Sequence, residues 1–312
     1  MVTLIIGSGF SKWTANLPVA KDLFDFAIEP FGVREEKRLS SMRELKASWD
    51  LTHPTEPTEA FIDFAMHHNR LMSKLVVWYI VRRLSDPYIW IEWHAGKRRR
   101  HVLMLDEYRK DERPGVKKAR GFLLGVFGAC LQGIITTNYD LLIEYALGTK
   151  GFNYGVPEEQ LAGRGAYPVS TWLRPVVLRG LVSLAKVHGS ISWDSSSHYT
   201  DGRRGLTGNA LILAPVPDKT APPELARQWQ LAASLLAKAE RIVVFGFAFN
   251  PYDVELLDHF RIHSAAVKSV LLIDIEPNVG AARNIWPRAS IVTLPPPPES
   301  EGDLSNWIRR SA

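Results

Sequence analysis

Five short segments end an apolar run in Gly, Asn, His or Asp, the residue types that approach phosphates, orient sugar hydroxyls and move protons. Gly7-Ser8-Gly9-Phe10-Ser11 follows one such run. Its glycines let a backbone come close to a pyrophosphate, and its amides and the hydroxyls of Ser8 and Ser11 can donate to the oxygens. Lys12 stands where a dinucleotide fingerprint has its third glycine, and no acidic ribose residue closes a second strand. A plain strand-to-helix turn fits as well. In Thr136-Thr137-Asn138-Tyr139-Asp140, Asn138 brings a donor and an acceptor and Asp140 a carboxylate. The competing explanation is an Asx turn that caps a helix from about Leu141.

The third segment, Lys186-Val187-His188-Gly189-Ser190, places a histidine at a strand end, followed by a glycine that turns the chain without covering the ring. An imidazole that titrates near neutrality is a natural general base, although a lone histidine is often structural. The fourth, Val243–Asp253 (VVFGFAFNPYD), runs from a strand through Gly246 and Phe247 to a polar turn at Asp253. In the fifth, Leu271–Asn278 (LLIDIEPN), Asp274 and Glu276 close a strand, where carboxylates can accept from ribose hydroxyls. They serve equally as caps for a helix starting near Pro277.

The elements that must position these residues follow from the hydrophobic pattern. Continuous apolar runs, as in strands covered on both faces, are expected as strands at 2–6, 133–136, 181–187, 210–213, 241–245, 269–273 and 290–294. Helical patterns fall at 18–27, 223–239, 251–263, 278–286 and 303–310. This alternation predicts an α/β fold: a doubly wound, mostly parallel Rossmann-like sheet. The chain from 1 to 312 is expected to be a single domain with a helical insertion at about 29–130. Within it, residues 58–84 suggest one long amphipathic helix and 121–130 another. Trp78, Trp90 and Trp93 fit either a core or a subunit interface. Lys97–His101 (KRRRH) is expected as a solvated loop.

At 312 residues and 46% hydrophobic content the chain can bury a full core. Its net charge of +5 permits a nucleic-acid contact without arguing for one. Cys130 is the only cysteine, which excludes an intramolecular disulfide and a cysteine-based zinc site. With no bilayer-length apolar run, and a start (MVTLIIGSGF) expected to be a first strand rather than a signal peptide, a cytoplasmic location is expected.

Taken in order, GSGFS, TTNYD, KVHGSISW, GFAFNPYD and DIEPN resemble the successive motifs of sirtuin-like domains, in particular the bacterial antiphage-defence branch. Leu211–Lys219 and Trp229 are similar to that branch too. The resemblance implies NAD as substrate and no metal. It assigns Asn138 and His188 to catalysis. To cofactor binding it assigns Gly7, Ser8, Gly9 and Ser11 at the phosphates, Asp140 with Asn138 at the nicotinamide end, and also Thr137 and Asp253. Gly246 and Phe247 would line the ribose and phosphates, and Asp274 and Glu276 the adenosine side. Two features depart from sirtuin deacylases: residues 190–245 hold no cysteine, so the four-cysteine zinc module is absent, and the peptide-gripping strand is not recognisable.

The activity implied is hydrolysis of the nicotinamide–ribose bond by an antiphage effector that depletes NAD. The alternatives are a non-catalytic module that senses NAD or a related nucleotide, and a zinc-free NAD-dependent deacylase. The apolar stripe of residues 58–84 can pack on its own domain or meet a second copy, so a homo-oligomer is expected, and the branch further implies a regulatory partner encoded nearby, such as a HerA-type ATPase or an Argonaute-like protein.

Overall fold

The computed structural model describes residues 1–85, 89–94, 97–102, 114–148, 151–155, 182–194, 210–213 and 223–309. Positions 214–219 of the Leu211–Lys219 stretch, Leu181 and Arg310 lie outside them. In chain order the strands are β1 (Val2–Ile6), β2 (Ile89–His94), β3 (Lys97–Val102), β4 (Leu131–Thr136), β5 (Phe152–Asn153), β6 (Val182–Lys186), β7 (Gly189–Asp194), β8 (Ala210–Ile212), β9 (Arg241–Phe245), β10 (Ser269–Ile273) and β11 (Ser290–Leu294). The helices are α1 (Ser8–Ala15), α2 (Val33–Thr52), α3 (Thr58–His68), α4 (Arg70–Ser85), α5 (Pro114–Arg120), α6 (Leu142–Leu147), α7 (Ala226–Lys238), α8 (Val254–His263), α9 (Val279–Ile285) and α10 (Glu301–Arg309).

Seven strands form one sheet in the order β11-β10-β9-β1-β4-β6-β5, and every pairing in it is parallel. Setting aside the edge strand β5, this is the order of the doubly wound dinucleotide-binding sheet, whose ligand crevice opens where the winding reverses, between β1 and β9. Alternate residues feed cores on opposite faces. Leu4, Ile6, Ile134, Leu184, Val243 and Phe245 pack with α5, α6 and α10. Ile5, Ile135, Ala185, Val244 and Leu272 pack with α7, α8 and α9. Both faces of the central strands are apolar because both are covered, whereas the edge strand β11 is largely exposed.

Residues between β1 and β4 build a third core, in which α2, α3 and α4 pack Met42, Phe61, Trp78 and Tyr79 together with Ile212 of β8. Several expectations for this region give way. Residues 58–84 form two helices, because the Asn69 side chain accepts from the Leu71 and Met72 amides (2.9 Å each) and starts α4 afresh. An N-cap here outweighs apolar periodicity.

The stretch 18–27 keeps only a single 3-10 turn, Ala20–Asp22. It is tied to α4 instead: Tyr79 accepts from Phe26 N–H (3.1 Å) and donates to the Leu23 carbonyl (3.0 Å), while Arg83 grips both carboxylate oxygens of Asp25 (2.9 and 2.6 Å). Residues 121–130 wind as a π turn (Gly121–Phe127) and a 3-10 turn (Gly128–Cys130), with Gly128 at φ 46°. Lys97–His101 is no loop but lies in β3, antiparallel to β2. A basic run scores poorly as a strand by composition, but pairing with the Ile-Trp-Ile run of β2 supplies a ladder. Trp78 is core, 3% exposed; the side chains of Trp90 and Trp93 lie outside what is described. Ala210–Ile212 leaves the main sheet and pairs antiparallel with β7.

Candidate functional site

Register brings the five motifs to one edge. Lys186, Thr136, Ile6, Phe245 and Ile273 form a row across β6, β4, β1, β9 and β10. Each chain then leaves the sheet through a motif residue: Val187–His188, Thr137–Asn138, Gly7, Gly246 and Asp274. This is the carboxyl edge, where open α/β sheets bind ligands.

At the crevice itself three glycines allow a backbone-to-backbone contact. Gly7 N–H donates to the Phe245 carbonyl and Gly9 N–H to the Gly246 carbonyl, both at 3.0 Å. A Cβ on Gly7 would lie 2.3 Å from the Gly246 oxygen, and one on Gly9 2.7 Å from the Gly246 Cα. Gly246 sits at φ 60°, and its Cβ would lie 2.4 Å from the Phe10 nitrogen. The glycines thus close α1 onto the turn after β9, and the Gly9 amide is already engaged there. Gly246→Ala should cost roughly 2–3 kcal/mol, combining a left-handed backbone with a backbone clash. Urea unfolding checks it; a loss under about 1 kcal/mol would show that the turn relaxes freely.

Beside this contact Asn138, Ser11 and Asp140 form a buried network. Asn138 Nδ2 donates to the Gly7 carbonyl (3.0 Å) and to Ser11 Oγ (2.9 Å), and Ser11 Oγ donates to Asp140 Oδ2 (2.8 Å). Asp140 Oδ1 accepts from the Leu142 amide (2.9 Å), the Asx turn that opens α6. Thr136 Oγ1 completes the turn, donating to the Ile6 carbonyl (2.8 Å) and accepting from Asn138 N–H (3.0 Å).

The network changes what these side chains can offer. The Ser11 proton points to Asp140 rather than outward, and Asp140 has both oxygens engaged. Ser8 is exposed and Thr137 half-buried. Among the described residues no hydrogen bond uses Asn138 Oδ1, so this oxygen is what the residue presents to a ligand.

His188 follows β6 and is 3% exposed. Gly189 takes φ 84°, and a Cβ there would meet the Leu211 carbonyl oxygen at 2.1 Å, so only glycine turns the chain beneath β8. The His188 carbonyl accepts from Leu213 N–H (2.8 Å). Its Nε2 lies 3.5 Å from Asp253 Oδ1, and Asp253 is itself 6% exposed. The Tyr139 ring is 6.5 Å from the imidazole, and its hydroxyl donates to the Leu213 carbonyl (2.5 Å). Burial pushes the Tyr139 phenol far up, with Asp253 and Glu59 adding to it, so the ring stays protonated.

Two participants are not marked as site residues by the sequence. Asn250 Nδ2 donates to Glu59 Oε1 (3.2 Å), linking α3 to the turn that carries Asp253. Glu59 looked like any first-turn acid of an amphipathic helix. Phe249, next to Asn250, holds a left-handed backbone at φ 52°, unusual for a bulky residue. Other expected site residues fall elsewhere. The Phe247 ring packs on Phe249 and Phe260 (centroids 5.0 and 5.9 Å), so only its backbone borders the crevice. Asp274 is half-buried and accepts from Glu276 N–H (3.3 Å), while Glu276 is exposed. The cap of α9 is Asn278, which accepts from Ala281 N–H (3.0 Å). Among the described residues no group of three His, Cys, Asp or Glu side chains is placed to hold a metal ion. No described helix is long and apolar enough to cross a membrane.

No family model and no curated protein matches the chain. Among solved structures the chain is similar to a Sir2 homologue variant in complex with ADP ribose, at 13% identity and a TM-score of 0.46, over 99% of this chain and 92% of that one. A second such complex aligns at 14% identity and a TM-score of 0.45, with the same coverage. A Sir2 in complex with the inhibitor EX-527, 2'-O-acetyl-ADP-ribose and deacetylated p53 peptide aligns at 12% identity and a TM-score of 0.39, over 99% and 91%. These likenesses assign no role to any residue here.

Proposed function

We propose that the chain binds NAD along the carboxyl edge of the sheet and hydrolyses its nicotinamide–ribose bond. The observation that carries this reading is the placement of Asn138, bonded to Gly7, and of the buried His188–Asp253 pair at the carboxyl edge of a sheet with dinucleotide-binding order. The ordered motif resemblance to sirtuin-like domains supports it.

The glycosidic C–N bond breaks with both electrons leaving on nicotinamide, so positive charge builds on the ribose as an oxocarbenium-like species. Asn138 Oδ1 can accept from a ribose hydroxyl or from the attacking water and fix its position. Water oxygen then bonds to the anomeric carbon. His188 takes the proton released and passes it to solvent. The balance is NAD plus water giving nicotinamide, ADP-ribose and one proton, with no redox step. Gly7, Ser8 and Gly246 border the pyrophosphate in this reading, with Ser8 as its hydroxyl donor, while Thr137 faces the nicotinamide end and Asp274 and Glu276 the adenosine. Ser11 and Asp140 act from behind, holding Asn138.

In the cell we place this activity in antiphage defence, as a cytoplasmic NAD-depleting effector. Uncontrolled hydrolysis would exhaust the host, so control falls to self-assembly or to a partner such as a HerA-type ATPase or an Argonaute-like protein. Phe61 and Trp78 are buried within the chain, so among the described residues the apolar side chains this helical region offers to another copy include Leu51 (85% exposed), Leu71 (79%) and Val33 (69%).

One observation favours the sensing module instead: Ser11, Asp140 and the Gly9 amide are all satisfied internally. Incubation with NAD, with and without an acyl-lysine peptide, separates the readings. Nicotinamide and ADP-ribose without peptide are expected. Turnover only with peptide would mean deacylation, and tight binding without turnover in every partner-bound state would mean sensing.

A further inference from the structure

Resting on the reading of His188 as the base, we propose that Asp253 is its positioning residue, a buried carboxylate that orients the imidazole and favours its protonated form. The sequence motifs place Asp253 only near the cofactor. Geometry gives it another task, since Asp253 Oδ1 lies 3.5 Å from His188 Nε2 and both side chains are more than nine-tenths buried. At that separation, away from water, a carboxylate decides both which way a ring points and how readily it holds a proton.

The chain holds Asp253 firmly at this point. Asn250 Oδ1 accepts from Tyr252 N–H (3.0 Å), and Asp253 N–H donates to the Asn250 carbonyl (2.9 Å), making a tight turn ahead of α8. From α3, Glu59 anchors the same Asn250 (3.2 Å). Among the described residues, the titratable groups facing His188 include Asp253 from the turn after β9 and Tyr139 from the loop after β4, with Glu59 of α3 behind Asn250. Tyr139 stays neutral, which leaves Asp253 as the acidic side chain seen beside the ring.

The sign follows. A neighbouring negative charge stabilises imidazolium, and a base works as the neutral ring, so the acidic limb of the rate profile tracks the His188 midpoint. Asp253→Asn keeps the shape and removes the charge. The His188 midpoint should then fall by about one pH unit or more. NAD cleavage at the optimum should fall about tenfold or more through kcat, with KM little changed and the acidic limb moved to lower pH.

The test is the ring titration of His188 in the full chain by NMR with labelled histidine, its signal assigned by loss in His188→Ala. It is read without NAD, so absent NAD turnover would overturn the functional reading and leave the pairing standing. A midpoint at least about one unit lower in a folded Asp253→Asn supports the proposal; an unchanged midpoint overturns it. Should that variant not fold, Asn250→Ala loosens the turn and should move the midpoint the same way by less. An unmoved midpoint there overturns the proposal equally.

Discussion

Lys186→Met should lower the stability of the chain by about 3–5 kcal/mol, the range for leaving half of a buried ion pair behind. Lys186 and Glu144 are fully enclosed, with Nζ to Oε1 at 2.8 Å and side-chain exposures of 0% and 1%. Lys186 Nζ also donates to the Asp140 carbonyl (2.5 Å), and Tyr154 donates to Glu144 Oε1 (2.9 Å). Burial drives the Tyr154 phenol well above its ordinary range, with Glu144 adding to it, so it remains a donor. Gln228 ties the same knot through the Lys186 amide (2.8 Å) and the Tyr154 carbonyl (2.9 Å). Removing the ammonium strands a carboxylate with no water to solvate it. Because burial of the pair is itself expensive, Lys186→Met with Glu144→Leu should recover much of the loss. Urea midpoints of the single and double variants check this. A single-variant loss below about 1 kcal/mol would mean that the pair is solvated in solution.

His188→Ala and Asn138→Ala should each lower NAD cleavage by about two orders of magnitude or more, the scale for a general base or a key polar contact. Their effects on folding should differ. His188→Ala leaves the sheet contacts intact. Asn138→Ala removes the donor to Gly7 and Ser11 and should cost about 1–3 kcal/mol, yet stay folded. Turnover is therefore compared below the lower melting temperature, with circular dichroism confirming the fold. Near-wild-type turnover by a folded His188→Ala would remove the imidazole from the chemistry.

The sheet was legible because parallel strands covered on both faces are unbroken apolar runs. The bounds of β1, β9, β10 and β11 match the expectation residue for residue. Short runs such as Ala210–Ile212 carry no mark of which sheet they join, so that strand was misplaced. Between β1 and β4 the pattern misled wherever a specific contact overrode it: the Asn69 cap within one expected helix, the Arg83–Asp25 clamp on another.

At the proposed site, Asn138 and His188 stand out in the sequence because they follow apolar runs, and strand ends mark the edge where open α/β sheets bind ligands. It did not separate ligand-facing groups from supporting ones. Ser11 and Asp140 look like ligand contacts in one dimension, but Ser11 donates to Asp140 across 129 residues. Glu59 and Asn250 meet across 191 residues, and no local spacing announces such a contact. In the sequence Gly246 suggests closeness to phosphate, whereas its left-handed turn first serves the packing of α1 on the turn after β9.

The most direct test of the whole account is nicotinamide release from NAD by the purified full chain, alone and with the products of its neighbouring genes, quantified with ADP-ribose by chromatography and mass spectrometry. The account predicts the two products in equal amounts, without added peptide, and their near-complete loss in His188→Ala. No nicotinamide from the folded, NAD-bound protein in any of these mixtures would contradict it.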